Sequence, residues 1–165
     1  MSSLTGRPQL PQAEIVSNDG FWPDLQVGDL INQYRIPAEY EPDVIQNGLT
    51  MAALRVNRRL AEVKDALIED YLQFDEFAVT GDTFNGSPSL IKHYYNAVYC
   101  IAKSYLLQQF NSLNRRPNAE SAAKESYEME TYWLDQAEIS LAEIIRAVLP
   151  ESVPVSDYGV VVDLL

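Results

Sequence analysis

Any chemistry in this chain would have to start from very few side chains. His93 is the only histidine of the 165 residues and Cys100 the only cysteine. A Ser or Cys nucleophile therefore lacks a choice of base, and no His-rich metal site can be assembled. No glutamate stands three residues before or after His93, which excludes the paired Glu-x-x-His arrangement of helical di-iron proteins. His93, beside Lys92, reads as a surface or packing residue, and Cys100, inside an apolar run with no disulfide partner, as a small buried one. The carboxylate pairs Glu69-Asp70 and Asp75-Glu76 would serve as acid and base only in a dry pocket that splits their pKa values. Adjacent residues near a helix end seldom provide one, so a hydrolase centred on Glu69–Glu76 is the weakest of the readings. No phosphate-cradling glycine loop ending in Lys-Ser/Thr, no Gly-x-Gly-x-x-Gly turn and no EF-hand loop occurs. These residues predict no catalytic site, no metal and no cofactor, and leave contact as the function.

Helices are the elements that would carry these residues. Ile91, Tyr94, Val98, Ile101, Ala102 and Tyr105 recur at three and four, one face of a helix over about residues 89–113. Tyr95 and Tyr99 lie off that face. Tyrosine is amphipathic and enriched where proteins meet, so both are candidate protein-contact residues. Upstream, Pro42-Asp43 opens a stronger helix, with proline in the first turn and Glu41 and Asp43 at the positive end of the dipole. Leu49, Ala52 or Ala53, Val56, Leu60, Val63 and Leu67 then predict one element to about Leu72, roughly 45 Å long at the helical rise. Its middle carries Arg55, Arg58, Arg59 and Lys64, and acidic side chains crowd its C-terminal end, where the dipole disfavours them. Asp75–Pro88 reads as a loop, with a short extended piece at Phe77–Thr80. After a turn at Asn114–Asn118, a last helix starting at Asn118 or Ser121 carries Tyr127, Leu134, Ala137, Leu141, Ile144 and Val148, and stops at Pro150.

The ends read differently. Residues 1–20 hold Pro, Gly, Ser and Asn without a sustained period and are expected to be a flexible arm. Phe21-Trp22-Pro23-Asp24 follows, and Asp24 or Asp29 would cap a short helix through Leu30, Ile31 and Tyr34 that Pro37 stops. Val153-Pro154-Val155 and Gly159–Leu165 are apolar and β-branched, an extended tail over 151–165. It would fold back on its own chain, pairing with Phe77–Thr80, or add to a neighbour through Val160, Val161, Val162, Leu164 and Leu165. The fold expected is all-α: a bundle of three long helices plus a short N-terminal one, spanning residues 21–150. Phe21, Trp22, Val56, Leu60, Val98 and Ile101 are its core anchors.

Charge narrows the partners. With 24 acidic against 12 basic residues and a net charge of −12, a sequence-reading nucleic-acid surface is excluded, because phosphates must be neutralised by Lys and Arg. A like-charged wall that lets a polyanion slide past is compatible. No apolar run approaches the ~18 residues needed to cross a bilayer, and Met1–Leu10 lacks a signal-peptide core, which reads as a soluble cytoplasmic chain without a membrane partner.

Four segments in order resemble the head completion, or gpL-type head-stabilisation, proteins of contractile-tailed bacteriophages. They are Phe21-Trp22-Pro23-Asp24 with its short helix, Ala53-Leu54-Arg55-Val56-Asn57-Arg58-Arg59-Leu60, Tyr94–Lys103, and Val160–Leu165. The most specific parts are Val56-Asn57-x-x-Leu60 and Ala97-Val98-Tyr99-x-x-Ala102-Lys103. Family members commonly carry an aromatic soon after the first motif, and Ala61–Ala66 here contains none. The resemblance implies a small helical adaptor of the virion that forms a ring, commonly a dodecamer, below the portal protein after DNA packaging. It would seal the filled head, let DNA pass through its channel, and present a surface for the tail completion protein. It would be located at the head-tail junction, and in the host cytoplasm during assembly. Without the resemblance, the same residues read as a helical binding module of regulatory or chaperone-like kind.

Overall fold

A computed structural model describes residues 13–36, 40–113 and 119–151, with the backbone alone over 110–113 and 119–128. Among the described residues the chain is mostly helical, with six helices and two small antiparallel sheets. In chain order these are β1 (Ile15–Val16), β2 (Leu25–Gln26), α1 (Val27–Gln33), α2 (Pro42–Arg59), α3 (Ala61–Leu67), α4 (Phe74–Ala78), β3 (Thr83–Phe84), β4 (Ser87–Pro88), α5 (Ser89–Leu113) and α6 (Ala119–Val148). The expected turn at 114–118 and the tail segment 152–165 lie outside the described residues.

The 25-residue α5 is the axis of the molecule. It packs most extensively on α6 and then on α2. Every residue from Ala97 to Ser104 is buried, as expected of a helix covered on all sides rather than along one stripe. At its crossing with α2, a Cβ on Gly48 would meet Leu106 and Tyr105 at 3.3 Å. The glycine thus sets how close the two backbones come.

α2 begins as its sequence dictates: Glu41 is extended, Pro42 occupies the first turn, and Asp43 and Arg58/Arg59 complement the two ends of the dipole. It does not run on to Leu72. The chain leaves helical geometry at Leu60 (φ −99°, ψ 17°), resumes as α3 and stops at Leu67. The apolar spacing suits one straight helix equally well. The break redirects α3 so that it packs on α6 and carries Lys64 to Asp19 at 2.6 Å, while Leu60, Val63 and Leu67 stay buried.

Two further expectations are corrected. Phe74–Ala78 is helical, and Phe77–Thr80 is not an extended piece. A capping box explains it: the Gln73 side chain accepts from the Glu76 backbone, and the Glu76 carboxylate accepts from the Gln73 backbone N–H. The extended residues come later, in the β3–β4 hairpin, where Asn85 (φ 50°) and Gly86 (φ 73°) form the Asn-Gly turn favoured between two strands. At the other end, residues 13–20 were expected to belong to a flexible arm and instead belong to the fold. Ile15–Val16 pairs with Leu25–Gln26, Val16 is buried, and the Val27 N–H donates to the Glu14 carbonyl at 3.0 Å.

Candidate interaction surfaces

Within the described parts of the resemblance motifs, Phe21, Trp22, Asn57, Tyr94 and Tyr99 turn inward and tie elements together. Asn57 of α2, Tyr94 of α5 and Asn18 of the N-terminal segment close a ring of hydrogen bonds. Asn18 Nδ2 donates to Tyr94 Oη (2.7 Å), Tyr94 Oη to Asn57 Oδ1 (2.7 Å) and Asn57 Nδ2 to Asn18 Oδ1 (2.8 Å). Beside it, Trp22 stacks on Tyr94 with ring centroids 5.0 Å apart and meets Phe74 at a tilt, at 4.7 Å. Asp19 accepts from the backbone N–H groups of Phe21 and Trp22 and pairs with Lys64. Burial alone would raise its pKa, but Lys64 and these two donors outweigh that and hold the carboxyl below its ordinary value. Among the anchors expected in the core, Phe21, Trp22, Val56, Leu60, Val98 and Ile101 are all buried.

The second face of α5 is likewise used within the chain. Tyr99 is 2% exposed, and its hydroxyl donates to the Gln26 carbonyl and accepts from the Gln26 N–H at 3.2 and 3.1 Å. Its side chain is part of the interior, which corrects the expectation of an outward contact. The reason is tertiary: β2 and α1 cover the face that a helical wheel leaves open. Tyr95 is half-buried and stacked on Tyr99 at 5.9 Å. Nearby, Tyr34 Oη donates to Asn96 Oδ1 and Asn96 Nδ2 to Ser140 Oγ, linking the residue that ends α1 to α5 and α6. Burial pushes the Cys100 thiol up to about 12, so it is a packing residue with no thiolate at neutral pH. Lys103 is also buried, donating to the Arg35 carbonyl, and desolvation pulls its pKa down.

Among the described residues no three His, Cys, Asp or Glu side chains converge to hold a metal, and no helix is long and apolar enough to cross a membrane. Glu69, Asp70, Asp75 and Glu76 are all exposed, and Glu76 is spent capping α4.

What the surface offers is apolar. On α2, Met51, Leu54, Arg55 and Arg58 form an exposed stripe at helical spacing. Its Met51 edge borders an open groove of about 230 Å³ whose floor is Ile101, Ser104, Tyr105 and Gln108 of α5 and whose far wall is Leu134 of α6. One turn beyond Leu134, Glu138 takes a two-pronged pair from Arg59 at 2.7 Å, which draws α2 and α6 together at that end. On α6, Met129, Tyr132 and Ile139 are exposed and, at the angular step of a helix, face away from Leu134. Ile68, Leu72, Val79 and Phe84, around α4 and in the hairpin, are exposed as well. Sequence reasoning missed the groove and both stripes, though Met51 and Leu54 fall off the buried period of α2 and are legible as outward apolar residues.

The described helical body thus ties its elements together from within and leaves apolar side chains outward on α2 and α6. The model of the phage head completion protein (GPL) family matches residues 16–147, and this chain belongs to that family. The "Probable head completion/stabilization protein" of Haemophilus phage HP1 (strain HP1c1) is 29% identical to it over 119 residues, 68% of this chain and 75% of that protein. No solved structure matches it. The chain therefore has a structural role in the phage head and is associated with the virion. The match begins at Val16, inside the segment that the Asn18–Tyr94–Asn57 ring ties to the body.

Proposed function

We propose that the chain is a connector subunit whose copies form a ring, a dodecamer, beneath the portal protein, closing the DNA-filled head and presenting a surface to the tail completion protein. The observation that carries this reading is the pair of unlike exposed apolar surfaces, the α2 stripe with its groove and the outward stripe of α6. A ring is built from heterologous contacts, so each subunit needs two different complementary faces. The tail residues Val160, Val161, Val162, Leu164 and Leu165 supply a further apolar contact to the portal or to a neighbouring copy. The excess of carboxylates, 24 against 12 basic residues, suits a channel wall past which DNA moves without being held. Native mass of the purified protein, alone and mixed with the portal ring of the same phage, tests the reading. Addition in a fixed multiple near the portal's own symmetry is the expected result. No addition at any salt concentration would refute it.

A further inference from the structure

We propose that the groove between α2 and α6 seats the segment Val160–Leu165 of a second copy of this chain. The inference rests on the ring reading for its setting and deepens it by naming receptor and occupant.

The groove is lined by Met51, Ala52, Ile101, Tyr105 and Leu134, with Arg55 at its rim. Ser104 and Gln108 add polar groups to this lining, so the groove offers apolar side-chain contacts beside hydrogen-bonding groups, the mixture that takes an extended aliphatic strand with its backbone polar groups. From Ile101 to Gln108 the floor runs about 10 Å at the helical rise, which accommodates three or four of the six residues Val160–Leu165 at about 3.3 Å each, the rest lying along the rim. Alternate side chains of a strand share a face, so the groove's volume has room for a pair such as Val162 and Leu164.

Charge selects among apolar segments. In a chain of net charge −12, Arg55 lines the groove, exposed and without an ion pair among the described residues though near enough to Glu138 to help lower its pKa, and the exposed Arg58 follows it one turn on. Val160–Leu165 carries Asp163 within its apolar run and follows Asp157. An acidic aliphatic strand therefore matches a groove with a basic rim.

Reach favours a second copy over the same chain. From Leu134 to Val148 the axis of α6 covers about 21 Å, and residues 152–159 span about 26 Å fully extended. A tail returning to its own groove would have to reverse direction at Pro150, pass the Arg59–Glu138 pair, and hold about four-fifths of that length straight, which costs conformational entropy. A neighbour placed head to tail needs no reversal. Groove and tail are then two unlike faces of one chain, which is the requirement of a ring.

The test uses full-length protein. A chain carrying L164D/L165D, so that no native tail competes, is titrated with a synthetic peptide of residues 152–165 while the Met51 and Leu134 methyl resonances are followed. Saturable binding that shifts both is expected. A peptide with L164D/L165D should bind at least about tenfold more weakly, because burying unpaired carboxylates is costly. Arg55→Glu, a surface change that leaves the fold intact by circular dichroism, should weaken the native-sequence peptide. No saturable binding, or binding that leaves Met51 and Leu134 unmoved, overturns the groove assignment. Disulfide trapping then settles whose tail is seated. Gln108→Cys on one chain and Leu165→Cys on another should give a crosslinked dimer when mixed. A crosslink that closes only within a single doubly substituted chain overturns the second-copy assignment. A chain that binds the peptide yet never adds to the portal keeps the groove and removes the connector reading, and the reverse outcome removes the groove alone.

Discussion

Tyr94→Phe deletes one oxygen from the centre of the molecule and leaves the ring stacked on Trp22. That oxygen accepts from Asn18 and donates to Asn57, both at 2.7 Å. Asn18 Nδ2 keeps a second acceptor, the Pro23 carbonyl at 3.0 Å, whereas Asn57 Oδ1 loses its donor inside a partly buried site. One net hydrogen bond contributes about 1 kcal/mol, and an acceptor left unpaired costs about 1–3 kcal/mol. The combined loss is about 2 kcal/mol, equivalent to a fall of about 4–8 °C in Tm for a domain of this size. Thermal unfolding followed by circular dichroism reads it directly. Asn57→Ala should cost a similar amount alone, and the double variant should fall short of the sum by about 1 kcal/mol, because both single changes break the same ring. Additive effects, or a Tm change for Tyr94→Phe of less than about 1 °C, would refute the claim that this ring fastens residues 13–20 to α2 and α5.

Gly48→Val should destabilise by about 1–3 kcal/mol, because its Cβ alone would press on Leu106 and Tyr105 at 3.3 Å; chemical denaturation with an unchanged m-value checks it. Cys100, buried with its thiol pushed up to about 12, should not react with a disulfide reagent in the native protein at pH 8 and should react fully once unfolded; native-state labelling would contradict the buried packing role. Asp19 is held below its ordinary pKa, so its contribution to stability is complete above the unfolded carboxylate value and lost as pH falls through the lower folded one. Asp19→Asn should accordingly flatten the acid limb of a Tm-against-pH curve below about pH 4 and leave the slope near neutrality unchanged. Glu138, held down by Arg59 and in a pair about half exposed, belongs to the same acid window, but Glu138→Gln should cost no more than about 0.5 kcal/mol, measured by denaturant unfolding.

The limits of α5 were legible without any tertiary information. Ser89–Leu113 is the span that the spacing of Ile91, Tyr94, Val98, Ile101 and Tyr105 predicts, because helical periodicity is a property of neighbouring residues. The start of α2 at Pro42 and the short helix ending near Tyr34 were legible for the same reason, and the order of segments was enough to suggest the family. Four features were decided only by packing. A wheel projection shows that Tyr99 leaves the apolar stripe, but not that β2 and α1 cover it. The spacing from Leu49 to Leu67 is satisfied equally by one helix or two, and the break at Leu60 is set by where α3 must meet α6 and Asp19. Residues 13–20 have no local signal strong enough to fold on; Asn57 and Tyr94, thirty-nine and seventy-six positions beyond Asn18, supply the partners that fix them. The groove belongs to no single element, since α2, α5 and α6 each contribute a wall or the floor. Local sequence thus determined the helices and the class of protein, while the surfaces on which a contact protein depends arise from the separation and angle of helices that only long-range burial can set.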